Sequence, residues 1–421
     1  MNELAPLGKP DPLRCGCDDA RGLPVDVALA RGLAALPRMR GVEDLPLSLA
    51  TGRVLAHRVC CPQPLPPFDN AAMDGYAIAG SSLPGAGPWV LPVSGRVRAG
   101  DAPGRLQPGT ACRILTGAPL PAGADTVVAQ EAVRVQGGRV ILAFRPRSGA
   151  HIRRAGEDIA QGAEILGAGR VIGSREAAAL ASAGCAGVAV HPRVRVTLLA
   201  TGSELVEPGA PLAPGQIWNS NRYQLAAALA QPWIALTDRE ALPDTPDALL
   251  QFFGQTAAHA ELIVTTGGVS VGDEDHMRAL FQQAGGTILA SDLAMKPGKP
   301  VTLGRLGQAL WLGLPGNPVA AHVGWMVLGA PLAQVMAGLS EPGPRKIVAR
   351  LAETVEHRPG RCEYRLARLL GHDARGALQV RCLPAPGSHR VAQMAQADGL
   401  VALPADAEVL AADALVDFLP F

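Results

Sequence analysis

Several features that would narrow the function of a protein are scarce or missing in this sequence. Only 4% of its 421 residues are aromatic, which leaves few rings for stacking on nucleic-acid bases. Lysine plus arginine (38) nearly equal aspartate plus glutamate (37), so the net charge of +1 gives no general attraction for nucleic acid or membrane surfaces. The eight cysteines form no C-x-x-C pair and no cysteine/histidine set with zinc spacing. Recognition must therefore depend on local groups.

Signals for export and membrane insertion are also weak. The first residues, MNELAPLGKPDPLRCGCDD, include no apolar segment typical of a signal peptide, so we expect a cytoplasmic protein. One apolar run, residues 319–339, is long enough to span a bilayer. It contains His322, Pro331 and Gln334 and directly follows a predicted strand and turn, which favours a buried helix.

Glycine (49) and proline (37) are plentiful, which favours many turns and short strands over a helical bundle. The length suits about three domains on a prior of roughly 150 residues each. A hydrophobic core of good size is therefore available.

The most informative stretch is TTGGVSVGDED, residues 265–275. An apolar run precedes it and apolar residues at helical spacing follow it, which predicts a strand, a glycine-rich loop and a helix. In such a loop successive backbone N–H groups can face one anion beside the positive end of the helix, and hydroxyls add further donors. The predicted phosphate-binding groups are the backbone N–H groups of Gly267, Gly268 and Gly272 and the hydroxyls of Thr265, Thr266 and Ser270.

The same stretch ends in three acids, Asp273, Glu274 and Asp275. Carboxylates in the first turn of a helix are stabilised by its dipole whatever else they do, and this explains most acidic N-terminal turns. A phosphate beside three carboxylates would be repelled, however, unless a cation lay between them. We therefore infer a phosphate-bearing ligand together with Mg²⁺, held largely by oxygen ligands.

Strands and helices alternate from about residue 192, which predicts a parallel sheet with helices on both faces. Ligands of such sheets lie beyond the carboxyl ends of the strands. ATGSEL, TTGGVSVG and LPGNP each follow a predicted strand, so all three can share one crevice. Lys296 and Lys299 lie in the nearby MKPGKP turn, whose prolines stiffen it. A lone loop lysine is usually only a solvated charge, but two in a fixed turn favour phosphate contact.

The first half of the chain mixes helical and β patterns. Apolar spacing predicts an amphipathic helix over residues 24–36, a second short helix over 45–55 and an alanine-rich helix over 174–184. Residues 89–144 break into short alternating runs, which predict a small β-rich domain with a hairpin at Gly137-Gly138. After residue 342, short strands separated by turn residues predict a separate small β-barrel or sandwich.

Two loops of this half carry candidate chemistry. PPFDNAAMDGYA places Asp69 and Asp74 close together, and a solvated turn has about equal weight on residue type alone. HIRRAGEDI combines Arg153 and Asp158, either as weak surface pairs or as groups that bind phosphate and metal. Thr116 follows a predicted strand, where a ligand contact and a structural hydroxyl are equal alternatives.

Nine segments resemble the molybdopterin molybdenumtransferase family, whose eukaryotic counterpart is the C-terminal region of gephyrin. They occur in family order from about residue 24 to 320. One of them, TTGGVSVG, is shared with the adenylyltransferase of the same pathway and is less specific when taken alone. The segments are PLSLATGRVLA, PPFDNAAMDGYA, RILTGAPLPAGAD, IRRAGEDI, LATGSEL, IWNSNRYQL, TTGGVSVGDED, MKPGKP and LPGNPV.

The resemblance implies a multidomain α/β plus β fold and an elongated subunit that forms a homodimer, with the active cleft at the subunit interface. It implies cytoplasmic ligation of molybdate to the dithiolene of adenylylated molybdopterin, with Mg²⁺ assistance and release of AMP. Expected protein partners are the molybdopterin adenylyltransferase and other cofactor-biosynthesis proteins; no nucleic acid or membrane partner is expected. The expected organisation is a flexible tail (1–22), a helix-rich linker domain (23–61 plus 150–190), a β-rich inserted domain (62–149), an α/β molybdopterin-binding domain (191–342) and a C-terminal β-barrel (343–421).

The resemblance also implies roles for individual residues. The implied catalytic residues are Asp74, Arg153, Asp158, Asp275 and Lys296. The implied metal ligands are Glu204, Asp244 and Asp275. The implied substrate-binding residues are Thr116, Ser203, Thr266, Gly267, Gly268, Ser270, Gly272, Lys299, Pro315, Gly316 and Asn317.

Two positions depart from the family pattern. Asp292 stands where a basic residue is common, and Asn219 stands where an aspartate is common. The first removes a possible oxyanion contact and the second a possible metal ligand. Two other functions compete with the transferase: adenylylation of molybdopterin by the glycine-loop domain, and a non-enzymatic scaffold like the receptor-clustering role of gephyrin.

Overall fold

The computed structural model describes residues 22–36, 41–268, 276–384, 387 and 389–421. The predicted tail, apart from Gly22, lies outside these residues, as do Ser270, Gly272 and Asp275 of the glycine-rich loop. The chain divides into two compact units. We call Asp44–Thr51 with Leu55–Val190 the β-rich unit, and Gly52–Val54 and His191–Phe421 with the described residues before Asp44 the sheet-and-barrel unit.

The sheet-and-barrel unit contains the predicted α/β sheet. Its six strands lie in the order Ile234–Asp238, Val194–Ala200, Leu262–Thr266, Ala309–Leu314, Thr302–Leu306 and Thr287–Ala290. The first four are parallel, as the alternating pattern predicts, whereas Thr302–Leu306 pairs antiparallel with both of its neighbours, Ala309–Leu314 and the edge strand Thr287–Ala290. The antiparallel pair arises because only Gly307 and Gln308 separate two strands, too short a connection for a parallel crossover.

Helices cover both faces of this sheet and bury its apolar runs. On one face, rings of Phe253, Phe281 and Trp311 meet beneath the strands, with the Phe281 and Trp311 centroids 4.3 Å apart. The described helices of the whole chain are Val25–Ala34, Ser174–Ser182, Ser220–Leu229, Pro246–Thr256, His276–Gln283, Pro318–Gly324, Ala330–Met336 and Val391–Gln396, with a π-helical Trp325–Gly329 between the sixth and seventh.

The apolar run near residue 319 belongs to the continuous helix Pro318–Met336. By length and composition it could cross a membrane, but 67% of its most apolar window is buried within the protein. A Cβ on Gly324 would lie 2.8 Å from a side-chain carbon of Leu314, so the helix packs directly against a central strand. The prediction of a buried helix is therefore confirmed.

The C-terminal part is a barrel rather than a sandwich. Five strands close on themselves in the order Cys362–His372, Leu378–Cys382, Ile347–Leu351, Leu415–Pro420 and Gly399–Leu403, with the last paired to the first. Alternate side chains, including those of Leu351, Val380 and Phe418, fill the interior. The short strand Met295–Lys296 adds to Cys362–His372 from outside the barrel.

The β-rich unit is built around a second sheet of six strands. Their order is Thr126–Ala129, Gly75–Ile78, Ala111–Ile114, Trp89–Val97, Arg139–Leu142 and Arg134–Gln136. The predicted hairpin is present: Gly137 and Gly138 have φ of +56° and +71°, as a two-residue turn of type I′ requires. Shorter pairs elsewhere in the chain join Glu43–Pro46 to Gly187–Val190, Val59–Cys60 to Glu164–Leu166, Asn70–Ala71 to Ile152–Arg153, Leu205–Val206 to Ile217–Trp218, and Val355–Glu356 to Val409–Leu410.

The predicted helix over residues 45–55 is wrong. Glu43–Pro46 is a strand, and only Leu47–Leu49 forms a single turn of 3-10 helix, as do Gly80–Ser82 and Gln130–Ala132 elsewhere. Pro46 pushes the preceding Leu45 from helical to extended backbone, and Gly52 turns the chain with φ +77°. The apolar residues of this stretch instead pack on helix Ser174–Ser182 and strand Gly187–Val190.

Candidate active site

The three loops that were predicted to share a crevice follow parallel strands that end side by side in the sheet-and-barrel unit. Thr201 N donates to Thr266 O at 2.9 Å, and Gly267 N donates to Leu314 O at 3.1 Å. Gly267 has φ +100°, and a Cβ there would lie 2.2 Å from Thr201 O. Only glycine fits between these strand ends, so the first glycine of the loop is required by the fold itself.

A buried amide holds two of the strand ends together. Asn221 Nδ2 donates to Thr266 Oγ1 at 2.7 Å and to Gly316 O at 2.8 Å, while Thr266 Oγ1 donates to Pro315 O at 3.0 Å. Thr265 and Thr266, whose hydroxyls were predicted to face a ligand, are both buried, at 0% and 2% exposed, and Thr265 Oγ1 accepts from Trp311 Nε1 at 2.9 Å. Both hydroxyls thus have structural partners, and their role in binding stays a prediction. Sequence reasoning missed Asn221, although it lies in the IWNSNRYQL segment.

The loops that carry the predicted metal ligands run alongside each other. Thr201 and Leu242 form a parallel bridge, which places the segments leading to Glu204 and Asp244 side by side. A Cβ on Gly202 would lie 2.6 Å from Glu204 Oε2, so the glycine leaves room for that carboxylate. Within the described residues no group of three or more histidine, cysteine, aspartate or glutamate side chains could hold a metal ion. Two carboxylates suit Mg²⁺, which usually binds one or two together with substrate phosphates.

A cavity of about 400 Å³ lies between the strand ends and the barrel. The strand-end side contributes Lys296, Lys299, Pro315 and Asn317, which are all predicted binding residues. The barrel side contributes residues that the sequence did not single out, namely Arg361, Glu363, Tyr364 and Arg365. His389 also lines the cavity. Four cations against one carboxylate make this cavity suited to an oxyanion.

The single carboxylate of the cavity is tied to two of the cations. Glu363 Oε1 accepts from Arg365 Nε at 2.8 Å and from Lys296 Nζ at 3.2 Å. Burial raises the pKa of Glu363, but the Arg365 hydrogen bond and the charges of Arg365 and Lys296 outweigh it, so the pKa lies below its usual range. Glu363 is therefore ionised at neutral pH.

In the β-rich unit, Asp74 occupies the turn before strand Gly75–Ile78. Its Oδ1 accepts from Thr116 N at 2.8 Å and from Thr116 Oγ1 at 2.7 Å. These two hydrogen bonds hold the pKa of Asp74 below its usual range. A Cβ on Gly75 would lie 2.1 Å from Val128 O, so the residue after Asp74 must be glycine for this strand to pair closely. Thr116 therefore has the structural contact that was one of its two predicted roles.

The second acid of this loop is fixed by the IRRAGEDI segment. Asp69 accepts from Ala155 N at 2.9 Å and from Arg154 Nη1 at 2.5 Å. The Ala155 N–H is the largest cause that lowers the pKa of Asp69. Arg153 pairs through its backbone with Asn70, so both predicted loops of the unit lie side by side. The side chains of Arg153 and Asp158 are exposed.

The two departures from the family pattern have structural partners. The Asp292 carboxylate accepts a hydrogen bond from Arg278 Nη1 at 3.1 Å. The same guanidinium donates to Pro300 O and Thr302 Oγ1, next to the lysine turn. Asn219 caps helix Ser220–Leu229 by accepting from Arg222 N at 3.2 Å. The first departure therefore contributes to the support of the turn, and the second to the start of the helix.

Comparison with known families covers most of the chain. Residues 23–184 match the family model described as MoeA N-terminal region (domain I and II), residues 197–334 that of a probable molybdopterin binding domain, and residues 348–421 that of the MoeA C-terminal region (domain IV).

Named relatives and a solved structure agree. The chain is 38% identical over 393 residues to "Molybdopterin molybdenumtransferase 2" of Mycobacterium tuberculosis, which covers 91% of this chain and 96% of the relative. It is 33% identical over 402 residues to "Molybdopterin molybdenumtransferase" of Haemophilus influenzae, which covers 95% and 98%. A crystal structure of the molybdopterin biosynthesis MoeA protein from Pyrococcus horikoshii superposes with a TM-score of 0.79 at 28% identity, over 94% of this chain and 98% of that one. The chain belongs to the molybdopterin molybdenumtransferase (MoeA) family.

Proposed function

We propose that this protein inserts molybdenum during molybdenum cofactor biosynthesis. It ligates molybdate to the dithiolene of adenylylated molybdopterin: the two thiols replace one molybdate oxygen, which leaves as water, and hydrolysis of the phosphoanhydride releases AMP. The observation that carries the proposal is the basic cavity beyond the carboxyl ends of the parallel strands, where Lys296, Lys299, Arg361 and Arg365 can meet an oxyanion.

Each part of the site has a task in this reaction. The cations of the cavity neutralise molybdate and hold it against the dithiolene, which turns a bimolecular encounter into an oriented one. The strand-end loops, with Gly267 and Gly268, offer backbone N–H groups to the substrate phosphates. Asp74, exposed yet fixed by Thr116, is suited to orient or deprotonate a reacting group.

Mg²⁺ fits the carboxylates that the chain supplies, and we assign it to Glu204 and Asp244, with Asp275 as the third predicted ligand. When bound, it would offset the charge of the phosphoanhydride. We further propose a cytoplasmic homodimer in which residues of the FDNAAMDGY and TTGGVSVG segments from different subunits complete one active site, served by the adenylyltransferase that makes the substrate.

A reconstituted reaction tests the proposal. Purified protein is incubated with adenylylated molybdopterin, molybdate and Mg²⁺, and AMP and molybdenum-loaded cofactor are quantified. We expect AMP release in step with molybdenum incorporation, and the loss of both without molybdate. A parallel incubation with molybdopterin and ATP measures the competing activity: nucleotide transfer there, with no molybdate uptake in the first reaction, would replace our proposal with the adenylyltransferase.

The dimer is tested separately. Sedimentation equilibrium is expected to give twice the 43.4 kDa chain mass. Mixing an Asp74→Asn variant with a Lys296→Met variant should restore part of the activity if one site uses residues from both subunits. A monomer with full activity would contradict the shared site without affecting the proposed reaction.

A further inference from the structure

Glu363 is an unusual residue for a buried position on a barrel strand. Its side chain is 2% exposed, and an ionised carboxylate at such depth is costly unless it is paired. Its Oε1 receives both the ammonium of Lys296 and the guanidinium of Arg365. On the other side its Oε2 faces the fully buried His357, whose Nδ1 is 3.9 Å away. Burial lowers the pKa of His357, so this imidazole adds no positive charge at neutral pH.

The backbone places the lysine turn directly on the barrel strand. Met295–Lys296 pairs in parallel with Cys362–His372, with Lys296 opposite Glu363, and Cys362 N donates to Ala294 O at 3.0 Å. This pairing fixes where the lysine side chain begins. The lysine side chain, which is 40% exposed, lines the cavity. The position of its ammonium therefore depends on the hydrogen-bond partner.

The two cations depend on Glu363 to different degrees. Arg365 has a second anchor, because its Nη2 donates to Glu356 O at 2.6 Å. For Lys296 Nζ, Glu363 is the only hydrogen-bond acceptor among the residues that the structure describes. A lysine side chain is flexible and has many rotamers, so a single anchor has a large effect on where its charge is found.

We propose that Glu363 is a positioning residue: it fixes the ammonium of Lys296 in the cavity so that this cation is ready to meet the molybdate oxyanion. The inference rests on the proposed function, since it concerns how one cation of that same site is held. Glu363 acts through Lys296 and makes no contact with substrate.

The direction in which one substitution changes molybdate affinity distinguishes a positioning role from a simple effect of charge. Glu363→Gln removes a negative charge beside the oxyanion site, so Coulomb attraction alone predicts tighter molybdate binding. Loss of positioning predicts weaker binding, because the ammonium is no longer held by a charge-assisted bond. We expect equilibrium dialysis to show molybdate binding on the order of tenfold weaker, by analogy with groups that orient metal ligands. Tighter or unchanged binding would overturn the proposal.

Two further variants make the test specific. Glu363→Asp keeps the charge and should recover most of the affinity. Glu353→Gln removes a carboxylate of the same barrel that faces Arg381 at 3.8 Å on the surface, and it should leave molybdate binding unchanged. Thermal unfolding of each variant identifies any loss of fold. If Glu363→Gln does not fold, Glu363→Asp is compared with wild type and with Lys296→Met. Molybdate binding between those two supports the positioning role, and binding equal to wild type contradicts it.

A double-mutant cycle with Lys296→Met completes the experiment. If Glu363 acts through Lys296, the Glu363 substitution weakens molybdate binding in the wild-type background and has little further effect when Lys296 is absent. Additive effects would contradict the positioning role. Wild-type protein that binds no molybdate would remove the proposed function instead, so the two failures are distinguishable.

Discussion

The two units of this protein hold their functional carboxylates and cations in opposite ways. In the β-rich unit, Asp69 and Asp74 are near the surface and are fixed by backbone N–H groups of short loops. In the sheet-and-barrel unit, Asn221, Thr266 and Glu363 are buried and fix one another or the turn that carries Lys296. Substitution of these residues in the first unit should therefore change the reaction rate alone, while substitution in the second should change both the reaction rate and the free energy of unfolding.

The largest expected effect is in the β-rich unit. Asp74→Asn should lower the rate of AMP release by roughly 10³-fold, the size typical of a carboxylate that acts on the reaction. The thermal midpoint should change little, because the carboxylate is near the surface and asparagine can still accept from Thr116. Asp101→Asn, another exposed carboxylate that caps its own turn at Arg98 N, serves as control and should leave the rate unchanged. A large drop in the Asp74→Asn midpoint would break the contrast between the units.

The next effect is on the stability of the sheet-and-barrel unit. Gly267→Ala places a Cβ 2.2 Å from Thr201 O at φ +100° and should destabilise by about 3 kcal/mol or more in urea unfolding. Gly307→Ala is the matched control, because φ there is +59° but no atom lies within 4 Å of the added Cβ. It should cost only about 1–2 kcal/mol. Equal costs would mean that the close approach of the strand ends is unimportant.

A smaller loss is expected from Asn221→Ala. It leaves Thr266 Oγ1 and Gly316 O without the buried donor, at a cost of about 1–3 kcal/mol. Gln224→Ala, on the same helix, removes one partly buried bond to Pro318 O and should cost less. Chemical unfolding of both variants gives the comparison. The same loss for both would contradict the role of Asn221 as the link between strand ends.

The smallest expected effect is the contribution of Glu363 to the pH dependence of stability. The hydrogen bond from Arg365 and the charges of Arg365 and Lys296 outweigh burial and hold the pKa of Glu363 in the fold below its value in an unfolded chain. Its contribution is therefore fully present above that value and is lost as pH falls through the folded pKa. Unfolding midpoints measured from pH 6 to pH 3 should fall less steeply for Glu363→Gln than for wild type. Identical slopes would show that this carboxylate is not stabilised by its two cations.

The sequence predicts those parts of the fold that depend on local pattern. Strands, glycine turns and the crevice beyond the strand ends follow from apolar runs and glycine positions within a few residues of each other. Asn221 and Glu363 could not be found this way, because their partners Thr266 and Lys296 are 45 and 67 residues away in the chain. The strand pattern of residues 362–372 gives no signal for Glu363, because the charged side chains of Arg365 and Arg368 interrupt the same stretch.

The error at residues 45–55 has the same origin. Apolar spacing alone matched a helix, but Pro46 and Gly52 impose a strand and a turn, and residues 174–190, far along the chain, supply the apolar surface that the stretch packs against. The site assignments from the resemblance to the family remain predictions. The residues outside the described ranges, Ser270, Gly272 and Asp275, share that status.

The two-residue strand Met295–Lys296 has a practical consequence for anyone who shortens this protein. Residues after about 342 look dispensable on a domain map, since the α/β sheet is complete without them. Yet deleting them would remove strand Cys362–His372, with which Met295–Lys296 pairs, and would also remove Arg361 and Arg365 from the cavity. A truncated fragment should thus still fold its α/β sheet but should no longer bind the oxyanion.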